Sequence, residues 1–101
     1  MLTALIDDLM DRSRVSAVLP DARFVSGPGQ CAVADAVIVD LVRHGESIAA
    51  IRVSAPAARI VAFGPHVDDE VLARARADGA DVVLTRAQFF RDPAAAVARQ
   101  T

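Results

Sequence analysis

Short apolar runs alternate with amphipathic or Ala-rich stretches along the whole chain, and no other feature restricts its fold as much. A continuous apolar run bounded by turn residues reads as a strand covered on both faces. Apolar residues spaced three and four apart read as a helix with one covered side. The order is β-α-β-α-β-α-β-α-β-α, with strands predicted at Leu2 to Ile6, Arg23 to Val25, Ala36 to Asp40, Arg59 to Phe63 and Val82 to Thr85. Strands joined through helices run parallel, so the pattern implies an α/β domain with helices on both sides of a five-stranded sheet.

Punctuation residues set the helix limits. The first helix, about Leu9 to Leu19, should bury Val15, Val18 and Leu19 and stop at Pro20, and a third begins near Glu46 and stops before Pro56. The fourth has Asp68 and Asp69 in its first turn and one face made of Val67, Val71, Leu72 and Ala75. Gly79 follows Asp78 as a left-handed stop. A last helix should open with Asp92 as N-cap and Pro93 behind it and run to the end of the chain. Between Val25 and Asp35 there is room for a turn or two, so the second helix must be short or irregular.

Composition narrows the partners. At 101 residues with 53% apolar content, residues 1–101 read as a single domain with one core. Net charge is −2 and the four Phe form no stacking platform beside a basic stripe, which argues against nucleic acid. The apolar runs are far below the roughly 20 residues that span a bilayer. Acids from Asp7 onward do not suit a signal peptide, so the expected location is the cytoplasm. Cys31 is the only cysteine and reads as a small buried hydrophobe.

In a doubly wound sheet, ligands bind outside the carboxyl ends of the strands. Those ends carry Asp7 and Asp8, then Asp40, then Gly64-Pro65-His66, then Thr85 and Arg86. Beside Asp40, the stretch LVRHGES from Leu41 to Ser47 resembles the opening signature of the histidine phosphatase and phosphoglycerate mutase superfamily, with His44 as nucleophile. That signature continues to an Asn where this chain has Ala50, and the family needs a second His and large insertions for which the chain has no room. LVRHGES is better read as the end of strand three, its loop and the start of the third helix.

A wider resemblance covers nearly the whole chain. LTALIDDLMDRSRV is similar to the first strand and acidic pair of a response-regulator receiver domain, and ADAVIVDL to its phospho-accepting strand. RIVAFGPHVDDEVLARARADGADVVLTRAQFF is similar to the receiver's fourth strand, fourth helix and fifth strand. The resemblance implies a flavodoxin-like, CheY-like sheet of order 2-1-3-4-5 with a shortened second helix. It implies that Asp40 accepts a phosphoryl group from a histidine kinase or phosphotransfer protein. It also implies that Asp7, Asp8 and Asp40, with the backbone carbonyl of Val42, hold Mg²⁺. Such a domain is no enzyme beyond self-phosphorylation and autodephosphorylation at Asp40. It signals to a downstream protein target, with the fourth helix, fifth strand and fifth helix as the expected contact or homodimer face, where Arg74 and Arg76 stand out.

Departures from the receiver pattern are equally specific. Gly64 stands where receivers have a Thr or Ser hydroxyl, and Arg86 replaces the Lys expected to contact the phosphate. Ala87 replaces the following Pro, so no cis peptide is expected there, and Val83 replaces the aromatic switch residue. His44 and His66 flank the same rim and read as surface or hinge residues. Two functions stay open: a phosphorelay receiver, and a pseudo-receiver that binds proteins without phosphorylation.

Overall fold

The computed structural model describes residues 1–98, and no helix among them is long and apolar enough to cross a membrane. Five parallel strands, β1 (Leu2–Leu5), β2 (Arg23–Phe24), β3 (Ala36–Asp40), β4 (Arg59–Gly64) and β5 (Val82–Thr85), form one sheet in the order β2-β1-β3-β4-β5. This is the expected 2-1-3-4-5 doubly wound sheet, with strand limits within a residue or so of those read from the sequence.

Alternation along the strands divides the core in two. Leu5, Val37, Val39, Ile60 and Ala62 face one side, where Ile48 and Ile51 of α3 (Ile48–Ser54) and Ala75 of α4 (Asp69–Asp78) cover them. Ala4, Ile6, Ile38, Val61 and Phe63 face the other, against Val15 of α1 (Leu9–Val18) and Phe89 of α5 (Arg86–Arg91). Both faces of each central strand are buried, which is why the strands read as unbroken apolar runs. Phe63 and Phe89 stack at 4.6 Å between centroids and Phe90 packs edge-on against both, joining β4 to α5 just beneath the carboxyl ends of the strands.

The second crossover is a single 3-10 turn, Pro28–Cys31, in place of a helix. Gln30 Oε1 accepts from the Ser26 and Gly27 amides at 3.0 and 3.1 Å, and Cys31 is fully buried, as its reading as a small hydrophobe predicts. At the C-terminus of α4, Gly79 takes the left-handed conformation with φ 119°. Its carbonyl accepts from Arg52, which also reaches Ala58, Pro56 and Asp81, so one side chain ties α3, β4, α4 and β5 together at the amino ends of the strands.

The sequence reading needs four corrections. Val18 is 51% exposed, because α1 turns only Val15 fully into the core. The supposed loop after β3 is helical: α2 (Leu41–His44) and a 3-10 turn, Gly45–Ser47, lead into α3. A helix unforeseen from sequence, α5, leaves β5 directly, with Thr85 and Gln88 forming a reciprocal capping box. The final helix, α6 (Pro93–Val97), starts at Asp92 and Pro93 as expected but ends at Val97; the remainder of that prediction, 99–101, lies outside the described residues.

Candidate functional site

Asp8 and Asp40, at the carboxyl end of the sheet, are each placed by the strand before and held by the helix after. Asp8 is the N-cap of α1, its Oδ1 accepting from the Asp11 amide at 2.9 Å. Asp40 ends β3 at 6% exposure and caps α2, its Oδ1 accepting from the Val42 amide at 3.0 Å. Both residues thus compensate orphan helix N–H groups with one oxygen and leave Oδ2 outside any hydrogen bond among the described residues. Asp7, more exposed, pairs with His44 Nε2 at 2.9 Å, and this hydrogen bond, more than the charges of Arg12 and Arg43, holds the Asp7 carboxyl below the usual carboxylate range.

The predicted residues other than Gly64, which is buried, share one cleft of about 500 Å³, lined by Asp7, Asp8, Asp40, Val42, Pro65 and Arg86, with Met10, Asp11, Arg14 and Arg43 around them. Sharing a cleft is weaker than converging. Among the described residues, no three His, Cys, Asp or Glu side chains are gathered tightly enough to enclose a metal ion. The donor type suits a hard divalent cation, since Mg²⁺ takes carboxylate oxygens and each of Asp7, Asp8 and Asp40 has one oxygen outside any hydrogen bond among the described residues. Val42 fits less well than expected. Its amide N–H points at Asp40 from the first turn of α2, and helical geometry turns the carbonyl the other way, along the axis.

Arg86 is the first residue of α5 and lies in the cleft, but its hydrogen bonds go elsewhere. Both terminal nitrogens donate to Asp11, at 2.8 and 2.7 Å, in a fork-to-fork pair. Asp11 is 5% exposed, and the Arg86 hydrogen bonds outweigh its burial, so its carboxyl is held below its ordinary value. The same pair, assisted by the charges of Asp40 and Asp8, raises Arg86 further above its already high value. Sequence reasoning missed Asp11. The available signal was its spacing, three residues after Asp8 and so on the same side of α1.

Gly64 ends β4, and a Cβ built there would lie 3.2 Å from Leu41 Cβ and 3.3 Å from Leu41 Cδ1. A side chain at position 64 would therefore press on Leu41 of α2. Val83 is half-buried against the core below α3 and α4, and no peptide bond among the described residues is cis, at Ala87 or elsewhere. His66 is exposed on the loop between β4 and α4 and does not line the cleft, whereas His44 is bound to Asp7.

No protein-family model matches the chain, and no curated protein is similar to it in sequence. Solved structures are. A response regulator from Burkholderia pseudomallei, solved with a phosphorylated aspartic acid, calcium and citrate, superimposes with TM-score 0.74 at 20% identity over 96% of this chain. This chain spans only 65% of the length of that protein. A LuxR-family two-component response regulator from Aurantimonas sp. SI85-9A1 gives TM-score 0.73 at 21% identity, covering 95% of this chain and 80% of its own. Chemotaxis protein CheY4 of Vibrio cholerae gives 0.72 at 21%, covering 84% of each chain. At these identities the likeness speaks to architecture, and with the strand order and helix placement it establishes that the chain has the CheY-like receiver fold.

Proposed function

We propose that residues 1–101 work as a receiver-like signalling domain of a two-component phosphorelay, accepting a phosphoryl group on Asp40. The observation that carries the reading is the position of Asp40: it ends the central strand β3, keeps Oδ2 outside any hydrogen bond among the described residues, and lines a cleft with Asp7, Asp8 and Arg86. A carboxylate oxygen of Asp40 forms the new O–P bond as the P–N bond of a phosphohistidine donor breaks, and the departing imidazole nitrogen takes up a proton. Asp7, Asp8 and Asp40 would hold Mg²⁺. When bound, the ion screens the repulsion between a carboxylate nucleophile and an anionic phosphoryl group. The His44 contact to Asp7 and the two cap bonds keep these carboxylates oriented toward the cleft before anything arrives.

Incubation with a small-molecule phosphodonor and Mg²⁺ should add one phosphoryl group to the intact chain, and Asp40→Asn should abolish the gain. Asp8→Asn should slow it strongly. No mass gain, together with no Mg²⁺-dependent change in the spectra of the folded chain, would sink the reading.

A second reading, the pseudo-receiver, is favoured by two particular contacts: Leu41 filling the space beside Gly64, and Arg86 tied to Asp11. In that case the domain binds proteins in one fixed state. In either case the partners are proteins. They are a histidine kinase or phosphotransfer protein on one side and a downstream target or second copy on the other, in the cytoplasm. The association face proposed is that of α4, β5 and the last helix, α6, and Arg74 and Arg76 of α4 are exposed. Reversing both charges should weaken association there, and unchanged association in sedimentation would exclude that face.

A further inference from the structure

The cation at the end of β5 is engaged before any phosphate arrives. Both terminal nitrogens of Arg86 donate to Asp11, and the guanidinium lies over the rings of Phe63 and Phe90, 5.7 and 5.2 Å from their centroids. Asp11 has lost most of its hydration, so its carboxylate depends on this fork for compensation. Asp40 and Asp8 act on Arg86 through their charge without accepting a hydrogen bond from it, although all four residues border one cleft.

We infer that Asp11 is a positioning residue that holds the Arg86 guanidinium aside from Asp40 and yields it only when Asp40 acquires the charge of a phosphoryl group. The inference rests on the reading of Asp40 as the acceptor. Unmodified, Asp40 offers one negative charge and a carboxylate already used in part by the Val42 amide. Asp11 offers the same charge, with both oxygens presented to the planar fork. The balance favours Asp11. A phosphoryl group adds about one further negative charge and three strong acceptor oxygens on the Asp40 side.

This competition gives a reason for Arg at a position where Lys would serve a phosphate contact alone. A compact ammonium has no fork to match both Asp11 oxygens at once. Arg86 combines seating over Phe63 and Phe90 with the forked bond to Asp11, whereas Arg14, which lies in the same cleft over Phe90 at 4.1 Å, makes no hydrogen bond to Asp11 among the described residues. The departure of Arg86 from Phe63 and Phe90 would transmit the event into α5.

The test compares the intact chain with Asp11→Asn, Arg86→Lys and the double variant Asp11→Asn/Arg86→Gln. Each is incubated with acetyl phosphate and Mg²⁺ and followed by intact mass, with thermal unfolding recorded in parallel. Asp11→Asn keeps the shape and removes the competing charge, so phosphorylation of Asp40 should be about tenfold faster, equivalent to about 1.4 kcal/mol. Arg86→Lys, which loses the fork but keeps the charge, should move in the same direction and serves as the test if Asp11→Asn fails to fold. The double variant should lose the gain, because no cation remains to be released. Equal rates in the parent chain, Asp11→Asn and Arg86→Lys would overturn the inference and leave Asp40 standing as the acceptor. No phosphorylation in any of them would overturn the receiver reading and the inference with it.

Discussion

Removing the Arg52 side chain tests whether the amino ends of the strands depend on a single cation. Its guanidinium donates to the carbonyls of Ala58 and Gly79 at 2.7 Å each and of Pro56 at 3.0 Å, and pairs with Asp81 at 2.8 Å. The Ala55 contact at 3.5 Å is at the limit of a hydrogen bond and adds nothing to the estimate. A hydrogen bond from a charged donor contributes about 1.5 kcal/mol or more, so the two shortest bonds are worth about 3 kcal/mol. The Asp81 pair adds at most about 1 kcal/mol, since Asp81 is 44% exposed. Fixing the long side chain costs back up to about 2 kcal/mol. The expected loss for Arg52→Met, which keeps the stem, is therefore about 2 kcal/mol. With a urea slope near the low end for small domains, about 1 kcal/mol per molar, the midpoint should fall by about 2 M. A shift below about 0.5 M with an unchanged slope would refute the reasoning, because water would then be replacing the guanidinium at no cost.

Gly79→Ala should cost about 2 kcal/mol, since it forces a side chain into φ 119° and its Cβ would lie 2.9 Å from Arg52 Cβ; a change under 0.5 kcal/mol in the same urea titration would contradict this. Gly64→Thr should cost about 1–2 kcal/mol through overlap with Leu41. Combining it with Leu41→Ala should give less than the sum of the two single losses, and strict additivity in the double-mutant cycle would show that the two sites do not touch. Asp11 has a lowered carboxyl pKa in the folded state, so its pairing stabilises the fold above the unfolded carboxylate value near about 4, and that stability is lost as pH falls through the lower folded value. Asp11→Asn should flatten the acid limb of a stability-pH profile below about pH 4, and an unchanged limb would show that the pair contributes nothing to acid sensitivity.

Residue spelling alone determined the layered sheet and the placement of the acids. Strands buried on both faces must be apolar throughout, and local signals such as Gly79 after Asp78, or Asp92 before Pro93, act within one turn and so can be read within one turn. Asp7, Asp8 and Asp40 were legible because strand ends in a parallel sheet fall on one side. The capping box at Thr85 and Gln88 was equally local and went unread, as did the helical turn that Asp40 starts. Tertiary structure decided which charges meet. Nothing in the order of residues says that Arg86 pairs with Asp11, 75 positions away, instead of facing Asp40, that His44 takes Asp7, or that Leu41 closes over Gly64. Those choices depend on how α1, α2 and α5 are seated on the two apolar layers. Long side chains reach whichever partner that seating brings within about 3 Å, so side-chain pairing follows from packing, whereas strand order and strand ends follow from pattern.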